Sequence, residues 1–381
     1  MRPGRICSSR RWRRLAAVLP VGGSLLLGPV PPAAGGSGDP VPLGGELLGR
    51  PGTVILPRPG MPPTPTGITA TGWLVADLDT GEVLAAHDAH ATFAPASTLK
   101  TLTALTLIPR LAPERTVTVT NADVDVDGSK VGLVPRQRYR IDQLFTALLV
   151  VSGNDAANTL ASAAGGSSDT LALMNEAAAR LQARDTAART VTGLDAPGQV
   201  TSAYDLALIA RAAMRVPSFR RYVAVRRSFI PAPGGRFIEI DTHNKLLRHY
   251  AGAIGIKNGY TVASGASFVG AATRGGRTLL VTLLHANPLV WHEAAALLDW
   301  GFATGDRVTA VGHLVDPLPA ASESTPLPAA ASVVAPARGE PVRYGRPWWR
   351  HRPGLLLAAA GCLLPVALLL RRRVRPVRLS R

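Results

Sequence analysis

Cysteine is nearly absent from this chain. Its 381 residues contain two, Cys7 and Cys362, one towards each end, which excludes disulfides and thiolate metal sites from everything between them. Lysine is almost as scarce: of 42 basic residues only Lys100, Lys130, Lys245 and Lys257 are lysines. Arginine keeps its proton at any working pH, whereas a desolvated lysine can lose it. A chain that otherwise uses arginine for positive charge therefore hints, at its few lysines, at chemistry that needs a neutral amine. The eight histidines include no H-x-x-x-H pair, which argues against a zinc peptidase helix. Acidic residues are missing where arginine is densest: residues 1–14 hold six arginines and residues 343–381 hold ten, with no Asp or Glu in either segment. Those sixteen nearly account for the net charge of +17, so the middle of the chain is close to neutral. The excess reports the two ends and not a nucleic-acid partner.

The ends read as membrane-directed. Residues 1–34, with a basic start, an apolar run from Leu15 to Val30 and Ala33-Ala34 after it, are expected to be a signal peptide. Residues 35–68, rich in Gly and Pro, read as a linker, and 69–310 as the globular domain. A second Pro/Ala-rich linker is expected over 311–347. Gly354 to Leu370 carry no charge and are preceded by Trp348-Trp349 and followed by Arg371-Arg372-Arg373. This predicts a transmembrane helix over 348–370 and a cytoplasmic basic tail over 371–381, with the domain held outside a cell membrane by a single span.

Within the domain, Pro95-Ala96-Ser97-Thr98-Leu99-Lys100 reads as a helix reached from a loop, with a stripe at Leu99, Leu102 and Leu105. Residues three apart on a helix share a face, so Ser97 and Lys100 offer a hydroxyl and an amine to one point. A serine is a poor nucleophile until a base takes its proton, and a desolvated lysine can be that base. Backbone N–H groups at the helix start suit an oxyanion beside Ser97. Strands are expected over 72–78 and 82–86, joined by the turn Asp79-Thr80-Gly81, and again over 255–261, 266–273 and 278–285. Helical patterns dominate from Ser97 to about Arg215, and a last amphipathic helix covers about Leu289 to Phe302. The fold class that follows is α+β: an antiparallel sheet formed by N- and C-terminal strands, with an inserted helical lobe.

Two further stretches complete a pattern. Val151-Ser152-Gly153-Asn154-Asp155 joins two helical runs, and Ile256-Lys257-Asn258-Gly259-Tyr260-Thr261 lies on a strand. With Ser97-x-x-Lys100, these resemble the S-x-x-K, S-x-N and K-[TS]-G elements of the active-site serine penicillin-recognising enzymes. The closest likeness is to the low-molecular-mass D-alanyl-D-alanine carboxypeptidases. Val131-Gly132-Leu133-Val134-Pro135, Gly193-Leu194-Asp195-Ala196-Pro197-Gly198 and His243-Asn244-Lys245-Leu246-Leu247 are similar to that family as well. The resemblance covers about residues 68–305.

The resemblance implies a β-lactamase/transpeptidase-like fold, no cofactor and no metal. It implies peptidoglycan stem peptides as substrates and β-lactam antibiotics as inhibitors. Ser97 would be the nucleophile, Lys100 its base, and Ser152 a proton relay to the leaving amine, near Lys257. Asn154 would hold the substrate amide, and the backbone N–H groups of Ser97 and Tyr260, beside Gly259, would bind the oxyanion. Asn258 departs from the family pattern, where Thr or Ser donates to the substrate's terminal carboxylate. An asparagine amide can donate in its place, with Arg277 as the fallback. Whether the leaving group is a single D-alanine or a crosslinked peptide stays open at this point.

The series Asp123, Asp125, Asp127 and Gly128 imitates the start of a calcium loop, but Val134 stands where the closing glutamate belongs. His243 and Asn244 read as structural. A β-lactamase would need a carboxylate to activate water between the second and third motifs, and Glu176 and Glu239, the glutamates there, do not fit its pattern. A non-catalytic membrane-tethered scaffold is the remaining alternative, and intact Ser97, Lys100, Ser152, Asn154 and Lys257 argue against it.

Overall fold

The structure is a computed structural model and describes residues 41–319. The expected signal peptide, transmembrane helix and basic tail lie outside the described residues. Among the described residues, no helix is long and apolar enough to cross a membrane.

The main sheet is antiparallel and is built from both ends of the domain. Its strands are β1 (Thr53–Pro57), β2 (Gly72–Asp77), β3 (Glu82–His87), β8 (Ala253–Thr261), β9 (Gly265–Arg274), β10 (Arg277–Ala286), β11 (Val308–Thr309) and β12 (Gly312–His313). They run in the order β11-β1-β3-β2-β10-β9-β8, and β12 pairs with β3 beyond the end of β1. β2 and β10, at the centre, are apolar on both faces. Alternation along them divides the core: Trp73, Val75, Leu279, Val281 and Leu283 pack to one side, while Leu74, Ala76, Leu280 and Leu284 pack to the other. The first side is covered by α9 (Val290–Thr304), whose Val290, Leu297 and Leu298 join that cluster, and by α8 (Lys245–His249).

The other side carries the inserted lobe. It comprises α1 (Lys100–Leu107), α2 (Asn121–Val124), α3 (Ile141–Val150), α4 (Asn154–Ala163), α5 (Ser167–Arg180), α6 (Ala203–Met214) and α7 (Pro217–Val223). Helix α1 is almost wholly buried among them, with Leu99, Leu102 and Leu107 in the larger cluster. Each such leucine contributes roughly 1.5–3 kcal/mol by leaving water. The lobe also holds two antiparallel strand pairs: β4 (Thr116–Thr118) with β5 (Arg138–Arg140), on either side of α2, and the hairpin of β6 (Arg227–Ala232) with β7 (Arg236–Asp241).

The expected domain boundaries are corrected at both ends. Residues 41–68 are not a free tether: β1 closes onto β3 and β11, and Leu48 is buried. The domain does not stop at residue 310 either. Val311 and Leu314 are buried, and Tyr204 Oη donates to the His313 carbonyl at 2.8 Å.

Candidate active site

Ser97 lies in a single 3-10 turn, Ala96–Leu99, that runs directly into α1. Lys100 starts the helix and is completely buried. Its Nζ lies 2.9 Å from Ser97 Oγ, 2.6 Å from Asn154 Oδ1 and 2.5 Å from the Thr192 carbonyl. A neutral amine has two N–H bonds and one lone pair, so it can donate to the two oxygens that only accept and turn its lone pair to the serine hydroxyl. Burial holds the Lys100 pKa well below the ordinary lysine value; the charge of Lys257 adds to this and Asp155 opposes it.

Lys257 is equally buried, and burial lowers its pKa to about 7. Its Nζ donates to the Asn258 carbonyl at 2.6 Å. Ser152 follows α3, is buried, and its Oγ has no hydrogen-bond partner among the described residues. Its φ is 61°, and that of Ala96, next to the nucleophile, is 46°. Two non-glycine residues in the left-handed region cost of order 1–3 kcal/mol each, and here they flank the reacting groups.

Strand β8 reaches the site at Gly259. A Cβ on Gly259 would lie 2.6 Å from the Ser97 backbone nitrogen and 2.6 Å from Ser267 Oγ. Only glycine lets the strand come so close to the nucleophile's own N–H. Ser267, on β9, donates to the Pro95 carbonyl at 2.7 Å and fixes the approach from behind. Tyr260 follows on the strand with an exposed side chain, and Asn258 lines a cleft next to it.

The candidate site residues lie on this turn (Ser97, Lys100), on the α3–α4 junction (Ser152, Asn154) and on β8 (Lys257, Asn258, Gly259, Tyr260). The Lys100 bonds to Ser97 and Asn154, and the approach of Gly259 to the Ser97 nitrogen, join the three segments. Arg277, the fallback carboxylate ligand, lies elsewhere: its Nε donates to Asp77 at 2.7 Å. It sits at the hairpin end of β10, seven residues of strand, or about 23 Å, from Ser267.

Several contributors had no assigned role in the sequence. Asp155 is fully buried, and its carboxylate accepts the backbone N–H groups of Val131, Gly132, Leu133 and Ala156 at 2.9–3.0 Å. It thereby holds the 131–133 loop against the site. Thr192 supplies a carbonyl to Lys100, and Gly193 turns so close to Ala96 that no side chain fits. Asn154, which the resemblance assigns to the substrate amide, is here engaged at both ends, its Oδ1 accepting from Lys100 and its Nδ2 donating to the Asp127 carbonyl, each at 2.6 Å. The sequence signal for these was present only as short resembling stretches, because backbone carbonyls leave no mark on residue type. Asp123, in the acidic series, is spent on a reciprocal cap with Thr120 and on Ser162.

A lysine-assisted serine at the joint of a sheet and a helical lobe defines a class: serine peptidases of the penicillin-binding kind. The D-alanyl-D-alanine carboxypeptidase profile matches residues 60–287, and the chain belongs to that family. It is 44% identical over 262 residues to the D-alanyl-D-alanine carboxypeptidase DacB2 of Mycobacterium tuberculosis, covering 67% of this chain and 89% of that one. It is 34% identical to DacD of Escherichia coli over 255 residues, which are 63% of this chain and 64% of that longer one. Among solved structures, it is similar to a D-alanyl-D-alanine carboxypeptidase from M. tuberculosis (TM-score 0.64, 43% identity, 68% of this chain and 99% of that one). It also resembles the Streptomyces K15 DD-transpeptidase (TM-score 0.60, 28% identity, 64% and 100%).

Proposed function

We propose that Ser97 attacks the carbonyl of the penultimate D-alanine of a peptidoglycan stem peptide and releases the terminal D-alanine. The observation that carries this is the Lys100 amine, buried, held by two acceptors and set 2.9 Å from the Ser97 hydroxyl. Lys100 takes the proton of Ser97 as the C–O bond forms. The oxyanion is met by the Ser97 and Tyr260 N–H groups. As the tetrahedral adduct collapses, the amide C–N bond breaks and Ser152 delivers a proton to the departing amine. Water then hydrolyses the Ser97 ester. Asn258 donates its amide to the terminal carboxylate. A penicillin enters the same sequence and stops at the ester.

A β-lactamase reading lacks its carboxylate. Glu239 pairs with Arg227 at 2.9 Å. Glu176 lines a separate depression of about 650 Å³ between α1, α5 and α6, remote in the fold from β8. The reading further includes an extracytoplasmic domain on a C-terminal span, which the uncharged run 354–370 and the arginines after it support.

The test is labelling of the full-length protein with a fluorescent penicillin, together with D-alanine release from a D-Ala-D-Ala peptide. Ser97→Ala is expected to abolish both. Labelling that persists in that variant would remove Ser97 from the role.

A further inference from the structure

The depression that Glu176 lines has no part in the reaction at Ser97, and its lining follows from where side chains fall on three helices. On α5, Leu173, Glu176, Ala177 and Arg180 are spaced three and four apart and so share one face. That face meets Leu105 and Thr106 of α1 and Ala212 of α6 across a space of about 650 Å³, within the range that accommodates a small ligand. Leu105, Leu173 and Ala212 are only partly buried, so apolar wall stays open to water there.

Three arginines stand around the same depression: Arg110 just past α1, Arg180 at the end of α5 and Arg215 just past α6. A cation at a helix C-terminus complements the dipole, which accounts for basic residues at these positions. It leaves most of their N–H donors unspent. Arg110 gives one to the Thr106 carbonyl at 2.6 Å. Arg215 reaches Asp316 only at 3.5 Å, and that carboxylate is shared with the buried Arg211. Against the three guanidinium groups the lining sets one carboxylate, Glu176. A second polar group is unmatched beside them. Thr106 is 1% exposed, and its Oγ1 has no hydrogen-bond partner among the described residues. A buried hydroxyl without a partner is costly until something bonds to it.

These features together describe one kind of ligand. A purely apolar molecule would leave the arginines and Thr106 unused, and a small anion alone would leave the leucine walls wet. We infer that the depression binds an anionic amphiphile with a single acyl chain. The chain lies along Leu105, Leu173 and Leu181, and the head group is taken by the arginine forks and the Thr106 hydroxyl. The site is independent of the acyl-enzyme reading of Ser97. Lys100 opens α1, and Thr106 lies six residues, about 9 Å, further along the same helix.

The test uses the full-length protein in phosphatidylcholine nanodiscs and palmitic acid carrying a photoreactive diazirine near the end of its chain. After irradiation and digestion, adducts are mapped by mass spectrometry. They are expected on the stretches 105–110 and 173–181, and unmodified palmitate should compete them away. The methyl ester of the probe keeps the chain and loses the charge, and should label these stretches about 10-fold less. Arg180→Glu is expected to lower labelling by the acid about 10-fold while leaving labelling by the ester unchanged. Ala177→Phe, which fills the depression, should lower both and serves if the charge variant folds poorly; thermal unfolding within a few degrees of the wild type identifies a variant that folds. Adducts spread evenly over the domain, or acid and ester labelling the two stretches equally, overturn the site. So does wild-type labelling in both variants.

Discussion

The Ser97–Lys100 pair works only while the amine is neutral. Lys100→Arg keeps a cation of similar length but removes the base, since guanidinium does not give up its proton. Penicillin labelling of that variant is expected to fall almost as far as in Ser97→Ala, and substantial labelling would take the base role from Lys100. Acidification should act in the same direction, because protonating Lys100 consumes the lone pair. Acylation rates are therefore expected to fall as pH drops through the depressed pKa of Lys100, and not to wait for alkaline pH before rising. Lys257 carries a stability cost that has a definite pH window. Folded, its pKa is about 7, against an ordinary 10.5, so between those values the unfolded chain binds more protons and stability rises with pH. Below pH 7 both states are charged and the burial penalty is fully present, on the order of 5 kcal/mol at most. Lys257→Met loses one hydrogen bond but removes that penalty. It is expected to be inactive yet more stable by a few kcal/mol at pH 7, with the gain shrinking towards pH 10. Thermal unfolding at the two pH values checks this, and a variant less stable at both would contradict it.

At the scale of elements, what was legible in the sequence was what side chains dictate. The strand over 72–77, the hairpin at Gly275-Gly276 and the closing helix α9 all followed from apolar period and turn residues. So did the meeting of Ser97 and Lys100, through their three-residue spacing. Strand β1 was hidden because its burial pattern is only partial and its neighbourhood is rich in Gly and Pro. The β6–β7 hairpin was hidden because Phe229 and Phe237 point outward and Pro231 interrupts it. Pro231 is tolerated there because the hairpin has only two strands. The close approach of β8 to the nucleophile was written in a single residue, Gly259, whose spacing cannot be read without coordinates. It has a direct consequence. Gly259→Ala places a methyl 2.6 Å from the Ser97 nitrogen, and either the strand or the turn must move. Because the oxyanion site spans that gap, kcat/KM is expected to fall at least about 100-fold, the size of losing an oxyanion donor. The melting temperature should change by only a few degrees. Near-normal acylation of this variant would mean that β8 does not form the site's far wall.

On the scale of the whole molecule, the two ends of the described domain act as one clasp at the edge of the sheet, and the C-terminal one is the more heavily committed. Arg211, on α6, is almost fully buried, and its guanidinium donates to the Leu314 carbonyl at 2.9 Å and pairs with Asp316 at 3.3 Å. Backbone bonds from Val311 to Val83, His313 to Gly44 and Leu314 to Gly81 tie the same stretch to β3 and to the N-terminal segment, at 2.7–2.8 Å. A protein ended after Ala310 would lose two buried apolar residues, at roughly 1.5–3 kcal/mol each. It would also take the Leu314 carbonyl from the buried Arg211 guanidinium, a hydrogen bond to a charged group worth about 1.5–3 kcal/mol. Together these approach the whole stability of an ordinary domain, about 5–15 kcal/mol. Residues 41–310 are therefore expected to give no cooperative unfolding transition. Residues 41–319 keep every one of these contacts and should fold, label with penicillin and release D-alanine. Expressing both lengths and comparing thermal unfolding and labelling side by side decides the matter. If the shorter form melts within a few degrees of the longer one, the clasp is dispensable and the Arg211 contacts contribute little.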